Sequence, residues 1–201
     1  MRCMNPYIQF KCLVFNPKGG PRLLRSPEGD TPRPAEFMED EHFGLVLHPF
    51  DLATNKVLAL TGRLEPRDWI DVLTAHEKIQ PFGYLAWAAC GKDPGFSPGS
   101  LVSEARRTGR YAQAELDELA FDGAPPDARA LGQRWHHALS EAQAIVDLLP
   151  EPQTGMAILD ASGNLYRGSP AHLNIDLAEK RVMFHPGAIR GIWPAIKPAN
   201  V

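Results

Sequence analysis

The chain has 201 residues, of which 44% are hydrophobic and 22% are charged, so it can bury one sizeable core or a core with a small satellite. Its formal net charge of −3 argues against a broad basic surface for nucleic acid. Any contact with RNA is therefore expected to be local, and Arg106, Arg107 and Arg110 are the candidate patch.

The three cysteines, Cys3, Cys12 and Cys90, are widely spaced along the chain. They predict neither a disulfide framework nor a Cys-x-x-Cys metal pair, which makes a reducing compartment the natural setting. The first residues carry scattered charges without a sustained apolar stretch, and no run approaches the length needed to span a membrane. We therefore expect a cytoplasmic protein with no membrane partner.

The N-terminal residues predict little regular structure. Tyr7 to Phe15 is the only good strand candidate upstream of Asp30. The segments at residues 16–21 and 26–32 are rich in proline and glycine, and they predict loops.

A first helix is predicted from Asp51, which can cap it, to about Gly62, the expected stop signal. Lys56 and Arg63 lie seven residues apart and therefore share one face of this helix. The buried side of the helix is supplied by Leu52, Val57, Leu58 and Leu60.

A second helix is predicted to begin at Pro66, because proline suits the first helical position. Asp68 and Asp71 fall together on one face, one turn apart. The packed stripe, at i, i+3, i+4 and i+7 spacing, consists of Trp69, Val72, Leu73 and His76.

Two interpretations of these charged residues compete. In the first, Lys56 and Arg63 are solvated, and Arg67 forms helix-end salt bridges with the aspartates of the second helix. In the second, Lys56 and Arg63 bind phosphate while the aspartates orient a metal, a hydroxyl or the arginine. Residue spacing alone does not separate the two.

The segment Asp51-Leu-Ala-Thr-Asn-Lys56, with Arg63 two turns later and then Arg67-Asp68-Trp-Ile-Asp71, resembles the distal motifs of a known family. This family is the AbiEii/AbiGii-type nucleotidyltransferase toxins of the polymerase-β-like superfamily. The resemblance is strongest from Glu39 to Phe96, and Asp30 to Arg33 would correspond to a late piece of the family's central sheet.

The resemblance implies a nucleotidyltransferase-like fold and transfer of a nucleoside monophosphate from a nucleoside triphosphate to RNA or protein. Lys56, Arg63 and Arg67 would bind the nucleotide, and Asp71 and Asp68 would be the catalytic residues. An active enzyme of this kind would need Mg²⁺, with tRNA or another RNA as acceptor and a cognate antitoxin as partner.

The resemblance also exposes a missing motif. Such enzymes carry an upstream Gly-Ser element followed by Asp-x-Asp, because clustered carboxylates hold the metal ions. Here the Gly-Ser pairs are Gly99-Ser100 and Gly168-Ser169, and no Asp-x-Asp occurs anywhere in the chain. We therefore predict no metal site, and we interpret the chain as truncated or rearranged at its N-terminus. A degenerate transferase, a non-catalytic nucleotide-binding or protein-interaction module, and charges that only join two helices remain alternatives.

Further helices are predicted at Tyr84–Ala89, Ser97–Thr108, Tyr111–Ala120 and Asp127–Leu149. In the turn that follows the first of these, Lys92 could reach an anion and Cys90 is expected to be a packed thiol. Trp135 is predicted to anchor the core. The neighbouring His136 and His137 point about 100° apart on a helix and do not form a metal pair.

Pro150-Glu-Pro152 predicts a boundary. After it, Gly155–Leu159 and Leu165–Arg167 are predicted to form a hairpin, followed by a short helix from Ser169 and a strand at Arg181–His185. The aromatic residues expected in the core of this part are Tyr166, Phe184 and Trp193.

The predicted fold class is α+β and nucleotidyltransferase-like. It has a helical centre, a partial N-terminal sheet and a small C-terminal sheet containing the hairpin. We predict three parts: a truncated nucleotidyltransferase-like core at residues 1–95, a helical region at 96–150, and an α+β appendage at 151–201.

Overall fold

The computed structural model describes residues 37–40, 44–121 and 123–186. This part of the chain is α+β, as predicted, and mostly helical. Its strands form two small antiparallel sheets of two strands each. The strand predicted at Tyr7–Phe15, the piece at Asp30–Arg33 and Trp193 lie outside the described residues.

The elements follow one another along the chain, with a single 3-10 turn at Glu151–Gln153 before the third strand. They are β1 (Phe37–Asp40), β2 (Gly44–Leu47), α1 (Pro49–Arg63), α2 (Pro66–Lys78), α3 (Phe82–Ala89), α4 (Pro98–Ala105), α5 (Gln113–Asp117), α6 (Ala128–Leu148), β3 (Ala157–Asp160), α7 (Pro170–Ala178) and β4 (Val182–His185).

Both ends of α1 differ from the prediction. The cap is His48, whose Nδ1 accepts a hydrogen bond from the Phe50 amide at 3.2 Å, and Asp51 lies within the first turn. The helix continues through Gly62 and ends at Arg63, and its C-cap Leu64 adopts a left-handed conformation with φ of 55°. Asp51 is buried and its carboxylate pairs with Lys92, so it does not cap the helix.

Helix α2 begins at Pro66 as predicted, and its Trp69, Val72 and Leu73 are buried. His76, predicted as the fourth member of this stripe, is only partly buried. Helix α6 also agrees with its prediction: the Asp127 carboxylate caps it by accepting from the Ala130 amide at 2.7 Å.

Helix α3 lies at the centre of the core, and all of its residues are buried. It approaches α6 closely at Gly83, where a Cβ atom would lie 2.7 Å from Cβ of Ile145. Only glycine fits this contact without displacing backbone or a β-branched side chain.

The helices between α3 and α6 are shorter than predicted. Helix α4 ends at Ala105 rather than near Thr108, and α5 covers only Gln113–Asp117. The chain turns at Gly109, whose φ of +80° favours glycine and whose backbone packs on the Trp135 ring.

The C-terminal hairpin prediction is confirmed in part, because Leu159 and Leu165 form an antiparallel bridge and the Tyr166 amide donates to the Ile158 carbonyl at 2.9 Å. Strand β3 pairs with β4, Ile158 opposite Phe184, while Leu165 contributes only an isolated bridge to Leu159. Tyr166 is buried as predicted, and Phe184 is partly buried. The predicted divisions at residues 95 and 150 stay predictions.

Candidate functional site

Lys56 of α1 lies between two aspartates of α2. Its Nζ atom is 2.6 Å from Oδ2 of Asp71 and 3.1 Å from Oδ1 of Asp68. The Lys56 side chain is 15% exposed, and those of Asp68 and Asp71 are 2% and 12% exposed. The ammonium group is therefore the shared cation of two carboxylates that have little contact with water.

Arg63 completes this group from the last turn of α1. Its guanidinium lies 3.0 Å from Oδ2 of Asp68, but that oxygen accepts no hydrogen bond from the described residues. The Arg63 side chain is 58% exposed. We call Lys56, Arg63, Asp68 and Asp71 the charge cluster; its two cations and two carboxylates sum to no net formal charge.

The protonation of the charge cluster follows from burial and pairing. Burial opposes the charged form of Lys56, but hydrogen bonds and attraction to Asp71 and Asp68 outweigh it, so the pKa of Lys56 is raised. Burial raises the pKa of Asp71, and Lys56 offsets part of that rise. Lys56 is therefore a permanently charged partner rather than a proton acceptor near neutral pH.

The fifth predicted residue, Arg67, lies beside the charge cluster without joining it. It is exposed in the first turn of α2, and its guanidinium forms no ion pair with any residue that the structure describes. Its charge still lowers the pKa of Asp71. The structure thus brings four of the five predicted site residues together and leaves Arg67 at the edge.

A second charged contact was not predicted in this form. Lys92, in the turn after α3, lies 3.0 Å from Oδ1 of Asp51 and donates to the Asp51 carbonyl at 2.9 Å and to Oδ1 of Asn55 at 3.0 Å. The anion that Lys92 reaches is thus a carboxylate of α1. Burial lowers the pKa of Lys92, and Asp51 offsets part of the change. The spacing i, i+4 between Asp51 and Asn55 was a signal for this shared face.

The cysteine and the two adjacent histidines considered in the sequence analysis do not form a reactive site. Cys90 is buried and its thiol donates to the Ala86 carbonyl at 3.4 Å; burial raises its pKa to about 11. His136 and His137 are exposed on α6. Within the described ranges, no group of three or more histidine, cysteine or acidic side chains is placed to hold a metal ion.

The predicted basic patch is exposed, but one of its members is paired. Arg107 contacts the carboxylate of Glu104 at 2.7 Å, while Arg106 and Arg110 face solvent. In the part of the chain that the structure covers, no helix combines the length and the apolar character needed to cross a bilayer.

The chain matched no protein-family model, no curated protein and no solved structure. What the charge cluster can do chemically follows from its geometry. Arg63 and Arg67 present guanidinium groups to solvent near a partly buried lysine, and guanidinium is suited to binding phosphate oxygens.

Proposed function

We propose that this chain is a nucleotidyltransferase-like protein that binds a nucleoside triphosphate at the charge cluster. Arg63 and Arg67 contact phosphate oxygens, Lys56 supplies a fixed positive charge, and Asp71 with Asp68 orient the basic groups. When active, the protein transfers a nucleoside monophosphate to a nucleophilic group of RNA or protein, breaking the α–β phosphoanhydride bond and releasing pyrophosphate, with Mg²⁺ bound to the nucleotide. The proposal includes a polymerase-β-like fold, a cytoplasmic location, and a cognate antitoxin as partner.

The observation that supports this proposal is the convergence of the motif residues. Lys56 and Arg63 come from α1, Asp68 and Asp71 come from α2, and all four meet within hydrogen-bond or ion-pair distance. An exposed Arg63 gives a ligand access to one edge of the cluster.

A second candidate is a non-catalytic nucleotide-binding or protein-interaction module. Two observations favour it: the chain has no Asp-x-Asp motif, and the carboxylates of Asp68 and Asp71 already neutralise Lys56. A protein of this kind would bind nucleotide or a partner without breaking a phosphoanhydride bond, since metal ions on clustered carboxylates normally supply that step.

Binding is tested by calorimetric titration of the purified protein with GTP, CTP, ATP and UTP in the presence of Mg²⁺. We expect at least one nucleotide to bind, and Arg63→Ala to weaken that binding about tenfold by removing a phosphate contact. The matched control is Arg107→Ala, because the Arg107 side chain is 64% exposed and is also paired with one carboxylate. If no nucleotide binds, or if both variants weaken binding equally, the assignment of this site is wrong.

Transfer is tested with labelled nucleoside triphosphates, Mg²⁺ and bulk tRNA. Label on RNA or on protein that depends on Asp71 supports the enzyme, and Asp71→Asn should abolish it. Binding without label on any acceptor supports the non-catalytic module. The two candidates therefore differ in one measurement on the same preparation.

A further inference from the structure

The two cations of the charge cluster are held differently. Lys56 is 15% exposed, donates a hydrogen bond to Asp68 and lies 2.6 Å from Asp71. Arg63 is 58% exposed and lies near a single carboxylate oxygen that accepts no hydrogen bond from a described residue. Lys56 is thus fixed by two partners, whereas Arg63 has one partner and a poorly aligned contact.

We propose, resting on the function proposed above, that Asp68 is an internal competitor for the phosphate ligand and determines how tightly it binds. In the free protein, the Arg63 guanidinium pairs with Oδ2 of Asp68. In the complex, the guanidinium leaves Asp68 and binds phosphate oxygens of the triphosphate.

After this exchange, each of the two buried carboxylates still contacts a cation. When Arg63 leaves, Oδ1 of Asp68 still accepts from Lys56 at 3.1 Å, and Asp71 keeps its contact with the same ammonium group. Removal of Lys56 would instead leave two buried carboxylates without that cation, which is strongly unfavourable. Arg63 is therefore the cation of the cluster that is free to exchange partners.

The competition is electrostatic. A phosphate that approaches the free protein meets a cluster whose two cations are matched by two carboxylates. Neutralising Asp68 while keeping its shape would give the cluster one net positive charge and release Arg63. The nearby exposed Arg67 adds to the attraction, since its charge already acts on Asp71.

The test compares the wild-type protein with Asp68→Asn, Arg63→Ala and the double variant, using calorimetric titration with tripolyphosphate and with the nucleotides named above. We expect Asp68→Asn to bind tripolyphosphate about fivefold more tightly, as expected from removing one partly exposed competing ion pair. The gain should vanish in the double variant, because it acts through Arg63.

If Asp68→Asn folds but binds tripolyphosphate with the same affinity as the wild-type protein, or with lower affinity, then Asp68 does not compete for the ligand. If, in the same experiment, Arg63→Ala still weakens binding by the wild-type protein, the proposed function stands. Absence of binding by both the wild-type protein and Asp68→Asn overturns the proposed function and the competition together.

If Asp68→Asn does not fold, NMR of the wild-type protein tests the same exchange. The carboxyl ¹³C resonance of Asp68 in the wild-type protein should shift when tripolyphosphate is added, because Oδ2 loses its cation. The same addition should leave this resonance unchanged in Arg63→Ala. An unchanged resonance in a wild-type protein that has bound tripolyphosphate overturns the exchange.

Discussion

The charge cluster between α1 and α2 contrasts with the contacts that hold the C-terminal elements on α3 and on the turn before it. The latter use neutral side chains: Gln80 Nε2 donates to the carbonyls of Ile158 and Tyr166 at 3.0 and 2.9 Å, and Tyr84 donates to the Gly168 carbonyl at 2.7 Å. Trp87 completes the set by donating to the Gln153 carbonyl at 2.9 Å. We call Gln80, Tyr84 and Trp87 the neutral contact set.

The difference teaches which polar contacts a ligand can use. The neutral contact set is buried, and its side-chain donors are satisfied by backbone carbonyls, so it stabilises the fold and presents nothing to solvent. The charge cluster buries two carboxylates, which is costly, but its Arg63 edge is exposed. The neutral contact set is thus closed to solvent, whereas the charge cluster is open to it at Arg63.

The largest expected effect is that of removing the ammonium group from the charge cluster. Lys56→Met should lower the free energy of unfolding by about 3 kcal/mol, because it leaves Asp68 and Asp71 without their shared cation. Urea denaturation measures this, with Lys78→Met, an exposed lysine of α2, as control. Adding Asp71→Asn to Lys56→Met should recover part of the loss. Equal stabilities of the two lysine variants would show that the cluster contributes nothing to stability.

The next effect tests the neutral contact set. Gln80→Met keeps the volume of the side chain but leaves the Ile158 and Tyr166 carbonyls without this donor, and we expect a loss of about 2 kcal/mol. Gln133→Met, an exposed glutamine on α6, is the matched control for urea denaturation. If Gln80→Met lowers the free energy of unfolding no more than Gln133→Met does, then Gln80 does not help to hold the C-terminal elements.

A smaller effect is expected from His76, beside the neutral contact set, where Nδ1 accepts from the Phe82 amide at 3.0 Å. Burial lowers the pKa of His76; Glu77 opposes this, while Arg167, His137 and Arg134 add to it. Glu141 of α6 also faces the ring, at 3.8 Å from Nε2.

The sign of the pH dependence follows from that lowered pKa. The unfolded chain takes up the His76 proton at a higher pH than the folded protein does, so stability from this group is full above about pH 6.5 and is lost as the pH falls through the folded pKa. Urea denaturation between pH 7.5 and 5.5 should show a smaller decrease for His76→Asn than for the wild-type protein. His136→Asn, on the exposed side of α6, should match the wild-type protein.

The smallest expected effect on stability is that of Arg63→Ala. Because the arginine is 58% exposed and its contact with Asp68 is poorly aligned, we expect a change within about 0.5 kcal/mol. The same variant should weaken nucleotide binding. Loss of binding without loss of stability would distinguish Arg63 from the residues of the neutral contact set, whose role is to stabilise the fold. A loss as large as that of Lys56→Met would show that Arg63 is a structural residue.

The helices were predictable where local signals agree with packing. Asp127 caps α6 and Pro66 begins α2 because capping and the fixed φ of proline act within one turn. Asp51 was assigned wrongly as a cap because its partner, Lys92, is 41 residues away in the chain. A strand was predicted at Arg181–His185, where β4 lies, but its direct pairing with β3 was not. The turn at Asp160–Asn164 is a strong local signal for the Leu165 partner, whereas β4 lies beyond α7.

The sequence by itself determined the α+β class, the two charged helices and the shared faces of Lys56 with Arg63 and of Asp68 with Asp71. These follow from helical periodicity, which depends only on neighbours three and four residues apart. Only the tertiary structure decided that the two faces meet and that Lys56 is enclosed while Arg63 is exposed. Ion-pair distance and exposure depend on how helices pack, and packing is set by contacts between residues distant in the chain.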